Sequence, residues 1–248
     1  KGEFVCINVK DQEMQAFAME HISKAGADIS KVEFYFHETN DAWCRDHGPA
    51  FLVNKNGAEP KKIIVDWGFN AWGGKYPPFE LDDVIPTKIA EEKGLPVLYP
   101  GIIMEGGSVE FNGAGTVLTS KSCLLNKNRN PHLSKEEVEE FLKKYYGQKQ
   151  VLWVDDGIVG DDTDGHVDDT IRFVNENTVL TVIEDDPEDD NYEILQTNLR
   201  QLEEMTLLNG EKLNIIQLPM PDAVYCDGQR LPASYANFYI ANKSVIVP

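Results

Sequence analysis

Hydrophobic and polar residues alternate with two different periods at the start of the chain. Residues 4–9 and 32–36 carry apolar side chains at alternate positions, a period that predicts two strands. Residues 11–25 carry apolar side chains at helical spacing, and Gly26 is a typical residue for the end of a helix. The chain is therefore predicted to open with a strand, a helix and a second strand.

One order of elements then recurs: a polar turn, a strand, a hairpin, a second strand, a helix and a third strand. These units start near Asp46, Glu105, Asp164 and Ser234, at intervals of 59, 59 and 70 residues. Repetition of one supersecondary unit is typical of solenoids and propellers. In a closed ring the polar turns would meet near the axis. A simple α/β sandwich is the alternative arrangement.

The helices of these units are predicted at residues 83–94, 134–146 and 192–208. Ser134 followed by Glu137 forms the signature of a capping box at the start of the second helix. Residues 67–78 are rich in Gly, Trp, Tyr and Pro, which indicates a long loop. Such a loop either binds a ligand or is a surface loop anchored by its aromatic residues.

An acidic stretch at residues 160–169 contains five carboxylates and one histidine. On a predicted strand, His166 and Asp168 are two residues apart and would point to the same face. A histidine beside a carboxylate can transfer protons near neutral pH, and the carboxylate can bind a cation. The simpler interpretation is a solvated acidic turn with a chance histidine.

Length predicts the domain organisation, and charge narrows the classes of binding partner. The 248 residues are long enough for one large domain, which we predict to span residues 1–248, and the formal charge is −19. This charge argues against nucleic acid or an anionic membrane as partner and favours a small cation, although acidity also serves solubility. No apolar run is long enough to span a membrane.

The cysteines argue against a disulfide framework or a structural zinc site. Cys6, Cys44, Cys123 and Cys226 lie far apart, and none forms a CxxC pair. This usage predicts a protein of the reducing cytoplasm.

Five motifs together resemble the signatures of the agmatine deiminases, a family grouped with the bacterial-type peptidylarginine deiminases. They are residues 43–49 (WCRDHGP), 104–107 (MEGG), 123–131 (CLLNKNRNP), 163–168 (TDGHVD) and 231–239 (LPASYANFY). The resemblance covers essentially the whole chain. It implies an α/β fold, a five-bladed propeller of ββαβ units with pseudo-fivefold symmetry, incomplete at both ends of this chain. It also implies hydrolysis of a guanidinium group to a ureido group with release of ammonia.

The resemblance also assigns roles to individual residues. Asp46 and Asp168 would hold the guanidinium, and Glu105 would pair with His166 and tune its protonation. His166 would protonate the departing ammonia and then accept a proton from water, so the catalytic set is His166, Glu105 and Asp168. Trp43 would pack on the aliphatic stem of the substrate, unless it is a core residue. No cofactor and no metal ion is expected.

The family's nucleophile is a cysteine in a Gly-rich segment close to the C-terminus, and that segment is absent here. Cys226 lies before the 231–239 motif, and Cys44 and Cys123 also lie away from the expected place. All are therefore expected to be structural or incidental. We expect the nucleophile to lie beyond residue 248, and we expect this chain to be incomplete and inactive by itself.

Several alternatives stay open at this point. Within the family, the substrate is agmatine, free arginine or peptidylarginine. Residues 128–131 (NRNP) and the strongly acidic composition fit agmatine best. Residues 165–168 also resemble the GHxD motif of dinuclear zinc peptidases, so a zinc-dependent hydrolase is a second interpretation. A non-catalytic ring protein that binds cations is a third. The sequence leaves the oligomeric state open, and a homo-oligomer is one of the alternatives.

Overall fold

A computed structural model describes residues 3–248. The chain opens as its apolar pattern predicts, with β1 (Val5–Asn8), α1 (Gln12–Lys24) and β2 (Val32–Tyr35). The two strands pair in parallel, because the helix between them returns the chain to the end of the sheet at which β1 began. The side chain of Asp11 caps the N-terminus of α1.

Three sheets of identical topology follow. In each, the first two strands pair antiparallel as a hairpin, and the third pairs parallel with the second after a helical crossover. In chain order the elements are α2 (Cys44–His47), β3 (Ala50–Val53), β4 (Lys62–Val65), α3 (Ala71–Gly74), α4 (Glu80–Asp83), α5 (Ile85–Lys93), β5 (Val97–Leu98), β6 (Val109–Phe111), β7 (Thr116–Ser120), α6 (Lys121–Leu124), α7 (Lys135–Tyr146), β8 (Gln150–Val154), β9 (Ile171–Phe173), β10 (Thr178–Ile183), α8 (Tyr192–Glu204) and β11 (Asn214–Pro219). The sheets are β3–β4–β5, β6–β7–β8 and β9–β10–β11. The repeated unit predicted from the sequence is present in all three, and the fold is α/β.

Two small hairpins complete the described part of the chain. They consist of β12 (Tyr225–Cys226) with β13 (Gln229–Arg230), and of β14 (Tyr239–Ile240) with β15 (Val245–Ile246). The second hairpin lies in the unit predicted to start near Ser234, and the first was not predicted. Among residues 3–248, no helix has the length and apolar character needed to cross a membrane.

The middle sheet is buried on both faces. Successive residues of a strand point to opposite faces, so Val117 and Leu118 of β7 belong to different hydrophobic clusters. Val117 packs in a cluster with Met104 and Leu142. Leu118 packs in a second cluster with Ile171. Because both faces are covered, every residue of β7 is buried, including its polar residues Thr116, Thr119 and Ser120.

Each three-stranded sheet is preceded by a short helical turn. Before β3 this turn is α2, and before β6 and β9 it is a single 3-10 turn, Gly106–Ser108 and Val167–Asp169. The turns carry or adjoin Asp46, Glu105 and His166. The same kind of short helical turn therefore positions one polar residue in each of the three units.

The structure corrects the strand predicted at His166 and Asp168. Asp164 and Gly165 have φ angles of +68° and +98°, which break the extended backbone just before His166. The following residues form the 3-10 turn, and the strand β9 begins only at Ile171. His166 and Asp168 are therefore neighbours across a turn and do not share a strand face.

The predicted helix at residues 192–208 is also too long. Helix α8 ends at Glu204 because Met205 is extended, with φ −67° and ψ 146°. Thr206 then forms an isolated antiparallel bridge with Lys212. The apolar residues after Glu204 therefore lie in the turn that connects α8 to β11.

Candidate active site

The three polar turns that precede β3, β6 and β9 lie against one another. The Gly107 N–H donates to Asp46 Oδ1 at 2.9 Å, and His166 Nδ1 lies 3.7 Å from the same oxygen. A Cβ atom at Gly107 would lie 2.5 Å from His166 Nδ1, so a side chain there would force the turns apart. The turns thus bring together Asp46, Glu105, His166 and Asp168, all buried, as the repeat predicts.

The carboxylates around His166 favour its charged form. Burial by itself lowers the pKa of His166, but the Asp46 carboxylate, the Cys123 thiol and the Glu105 carboxylate raise this pKa well above its usual value. A protonated imidazole beside a cavity can act as a general acid.

Glu105 makes its hydrogen bond to a residue that the sequence did not assign to the site. The resemblance predicts a pair between Glu105 and His166, but Arg129 Nε donates to Glu105 Oε1 at 2.6 Å. Burial raises the pKa of Glu105, and the charges of Arg129 and His166 act against this rise. Glu105 thus acts on His166 through its charge, and its direct partner is Arg129.

The acidic stretch is an ordered loop, and its simplest interpretation as a solvated turn is wrong. Asp161 accepts hydrogen bonds from the N–H groups of Thr163, Gly165 and His166, at 2.7 to 3.0 Å. The hydroxyl of Tyr76 donates to the Asp162 carboxylate. Carboxylates that accept backbone N–H groups fix the loop that carries His166.

Asp168 faces a cavity of about 600 Å³ that Asp46 and His166 also line. Arg45 Nε lies 3.2 Å from Asp168 Oδ2, and half of the Arg45 side chain is exposed. Burial raises the pKa of Asp168, whereas the charges of His166 and Arg45 lower it. The other residues that line this cavity are Asp41, Trp43, Trp72, Tyr76, Gly160, Asp161, Asp162, Thr163, Asp169, Gln229, Leu231, Pro232 and Asn237.

Two tryptophans form one wall of the cavity. Trp43 is 52% exposed, so its alternative role as a core residue is wrong. Its ring meets that of Trp72 edge-on, with centroids 5.5 Å apart. Trp72 also donates from Nε1 to Asp46 Oδ2 at 3.2 Å. Because Trp72 lies in the Gly- and Trp-rich loop at residues 67–78, this loop supplies part of the site.

None of the four cysteines is in a disulfide, and only one adjoins the site. Cys6, Cys44 and Cys226 are exposed and do not line the cavity. Cys123 is buried, 4.0 Å from Glu105 Oε2. Burial and the Glu105 charge raise the pKa of the Cys123 thiol, so it is protonated at neutral pH and a poor nucleophile.

The same buried cluster is the part of residues 3–248 that comes nearest to a metal site. Ligand atoms of Glu105, Cys123 and His166 lie within 4.8 Å of one another. Arg129 already bonds Glu105, and its Nη2 lies 4.0 Å from Cys123 Sγ. A divalent cation placed there would meet the positive charge of this guanidinium. The donor set therefore does not fit the zinc interpretation.

Comparisons with known proteins identify relatives of this chain. The chain is 36% identical over 249 residues to an agmatine deiminase of Pseudomonas fluorescens, covering 91% of this chain and 67% of that protein. An agmatine deiminase structure from C. jejuni, a cysteine-to-serine variant with substrate bound, matches with a TM-score of 0.85 and 38% identity. The match covers 100% of this chain and 69% of the C. jejuni chain.

The chain spans 62% of the length of two Legionella pneumophila relatives, to which it is 42% identical over 217 residues. A model of the Porphyromonas-type peptidyl-arginine deiminase family matches residues 1–248. The chain therefore belongs to the Porphyromonas-type peptidyl-arginine deiminase family.

Proposed function

We propose that the full-length protein is an agmatine deiminase, a hydrolase that converts agmatine to N-carbamoylputrescine and ammonia. The observation that carries this proposal is the convergence of Asp46, His166 and Asp168 on one acidic cavity. Relatives from Pseudomonas fluorescens and Medicago truncatula, 36% and 39% identical, are named agmatine deiminases.

Asp46 and Asp168 are the residues that bind the substrate guanidinium. A guanidinium is planar and always charged, and carboxylates accept paired hydrogen bonds from it. The contact between Arg45 and Asp168 supports this role, because a guanidinium already lies against that carboxylate. The half-exposed Trp43 packs on the aliphatic chain that connects the guanidinium to the amine.

The reaction proceeds in two steps through a cysteine. A thiolate attacks the guanidinium carbon and forms a C–S bond, and the proton of His166 moves to the amine that leaves as ammonia. Water then adds to the same carbon and gives a proton to His166, and the C–S bond breaks to release the thiolate and the ureido product. The raised pKa of His166 supports its first role as an acid.

We assign the nucleophile to a cysteine outside residues 1–248. The thiol of Cys123 is buried and has a raised pKa, and the three exposed cysteines do not line the cavity. Residues 1–248 alone are therefore expected to give no turnover.

The charges that line the cavity favour agmatine over free arginine. The side chains of Asp41, Asp161 and Asp162 suit the terminal amine of agmatine. The α-carboxylate of arginine would require a cationic partner. Arg45 is the only lysine or arginine among the described lining residues, and it already contacts Asp168.

The repeat supports a five-bladed propeller in one domain that includes residues 1–248. Three complete units have the same topology, β1–α1–β2 matches the second half of such a unit, and β14–β15 matches its hairpin. The Asn242 N–H donates to Glu3 Oε1 at 3.1 Å, so the two partial units adjoin. Five units closed in this way would place the polar turns around the axis.

A ureido-product assay on the full-length protein tests the proposed function. Agmatine, arginine and an arginyl peptide are the substrates, each with and without a chelator. We expect conversion of agmatine that survives the chelator, and His166→Ala should abolish it, because the leaving ammonia then lacks a proton donor. The matched control is His132→Ala, which alters a histidine that does not line the cavity.

Conversion of none of the guanidines would overturn the proposal in favour of a cation-binding protein without catalysis. Loss of activity with the chelator would favour a metal-dependent hydrolase. Preference for the arginyl peptide over agmatine would move the substrate assignment within the family.

A further inference from the structure

Arg129 lies in a closed pocket behind the site, and its side chain is 0% exposed. Its Nε donates to Glu105 Oε1 at 2.6 Å, and its Nη1 donates to Asp164 Oδ2, also at 2.6 Å. Nη2 donates to the carbonyl oxygen of Thr163 at 2.7 Å. Nη1 also donates to Asn128 Oδ1 at 2.7 Å. One planar group thus joins the turn of Glu105 to the loop that leads into His166.

The segment held by Arg129 has an unusual backbone. Asp164 is a residue other than glycine with a φ of +68°, and Gly165 follows at +98°. A non-glycine residue in this region persists only where its surroundings hold it. Arg129 and Asn128 both donate to Asp164 Oδ2, which fixes the residue two positions before His166.

We propose that Arg129 is a positioning residue of the deiminase reaction, holding the Glu105 carboxylate and the segment that carries His166 in one arrangement. This inference rests on the proposed function and adds to it a residue that contacts neither the cavity nor the substrate. The guanidinium suits this role because its donors form a rigid fork, whereas an ammonium group offers one mobile point charge.

Charge is the second part of the role. Burial raises the pKa of Glu105, and Arg129 is the first of the charges that oppose this rise, followed by His166. Removing Arg129 therefore raises the pKa of Glu105 further, and Glu105 then takes up a proton at a higher pH. The titratable and charged groups around Glu105 are Arg129, His166, Asp46, Cys123 and Tyr146.

Variants of the full-length enzyme separate position from charge. Arg129→Met removes both the fork and the charge. Arg129→Lys keeps the charge and loses the fork. Lys75→Met is the matched control, because Lys75 Nζ also contacts Asp164, at 2.6 Å, but does not contact Glu105. The measurement is the pH profile of kcat and of kcat/KM for agmatine, after circular dichroism has shown that each variant is folded.

We expect Arg129→Met to lower kcat by about 100-fold, the order of loss that follows a small displacement of reacting groups. Its acid limb should move to higher pH, because activity needs ionised Glu105. Arg129→Lys should lower kcat by about 10-fold with the acid limb close to that of the wild type. Lys75→Met should leave the acid limb in place.

Two results would overturn the inference. One is a wild-type rate for Arg129→Lys, which would also decide the question if Arg129→Met does not fold. The other is an unmoved acid limb in folded Arg129→Met, which would reduce Arg129 to a structural role. Failure of the proposed function is distinct, since it would be seen as a full-length wild-type protein that converts no agmatine.

Discussion

Two arginines contact carboxylates of the site, and they differ in almost every other respect. The side chain of Arg129 is 0% exposed and donates to Glu105, Asp164, Asn128 and the Thr163 carbonyl. The side chain of Arg45 is 51% exposed, and Asp168 is its ion-pair partner at 3.2 Å. One guanidinium is enclosed by the fold, and the other stands at the edge of a cavity open to a ligand.

This difference separates a permanent guanidinium from a replaceable one. A desolvated ion pair with satisfied hydrogen bonds is costly to break, whereas an exposed pair contributes about 0–1 kcal/mol. On the proposed function, a substrate guanidinium would displace Arg45 from Asp168 and would leave Arg129 on Glu105. The site thus has a fixed inner half, which contains Arg129 and Glu105, and an open outer half, which contains Arg45 and Asp168.

The largest expected effect comes from breaking the inner pair. Glu105→Ala removes the fully buried one of the two carboxylates that Arg129 contacts, and we expect a loss of about 3–5 kcal/mol in the free energy of unfolding. Urea denaturation of the full-length protein measures this loss. Glu105→Gln is the control that keeps the shape of the side chain and should lose less. A loss below about 1 kcal/mol for Glu105→Ala would remove the distinction between the two halves.

Breaking the outer pair should affect binding more than stability. If Asp168 holds the substrate guanidinium as proposed, Asp168→Asn removes a charge-assisted hydrogen bond of about 1.5–3 kcal/mol, which corresponds to a KM for agmatine about 10- to 100-fold higher. The free energy of unfolding should change by less than about 1 kcal/mol, since Arg45 is half exposed. Steady-state kinetics and urea denaturation are measured on the same variant. An unchanged KM would show that Asp168 does not hold the substrate.

The acidic residues and the histidine of the site were largely predictable from the sequence, and its two arginines were not. The repeat of the polar turns predicted that Asp46, Glu105 and His166 meet, because equivalent turns of equivalent units occupy equivalent places. Arg129 lies 24 residues from Glu105 and 35 from Asp164, and no local period connects them. The sequence did mark Arg129 by its place in the 123–131 motif, but it gave no indication of which residues Arg129 contacts.

Backbone conformation and long-range contacts explain the other errors of the sequence prediction. Alternation of apolar residues after Gly165 predicted a strand that includes His166, but a hydrophobic pattern carries no information on positive φ. Trp72 was assigned only to a loop, because its contact with Asp46 joins residues 26 positions apart. In contrast, the capping box of Ser134 with Glu137 was predicted correctly, since all of its atoms lie within one turn.

Asp169, a further carboxylate that lines the cavity, has an amide partner in place of a guanidinium. Burial and the neighbouring charge of Asp168 raise the pKa of Asp169 to about 7, although Asn237 donates to Asp169 Oδ1 at 2.6 Å. The folded pKa lies above the usual value near 3.8, so the contribution of Asp169 to stability is full below about pH 4 and is lost as the pH rises through about 7. Asp161 and His166 also act on this group.

Asp169→Asn should therefore reduce the pH dependence of stability. The asparagine keeps an acceptor for Asn237 but cannot ionise, so we expect a smaller fall in its urea midpoint between pH 5 and pH 8 than in the wild type. The control is Asp185→Asn, in the exposed acidic loop after β10. Parallel midpoints for the wild type and Asp169→Asn would show that Asp169 is already ionised at pH 5.

The smallest expected effect concerns Arg45 itself, and it tests whether this residue is replaceable. If the guanidinium of Arg45 competes with the substrate for Asp168, Arg45→Met should lower the KM for agmatine by up to about fivefold, the equivalent of an exposed pair. Arg45→Lys keeps a competing charge and should stay close to the wild type. The difference between the two variants should shrink at high salt, because exposed charges are screened. A KM that rises in Arg45→Met would instead mean that Arg45 holds Asp168 in place, and then both arginines of the site would be permanent.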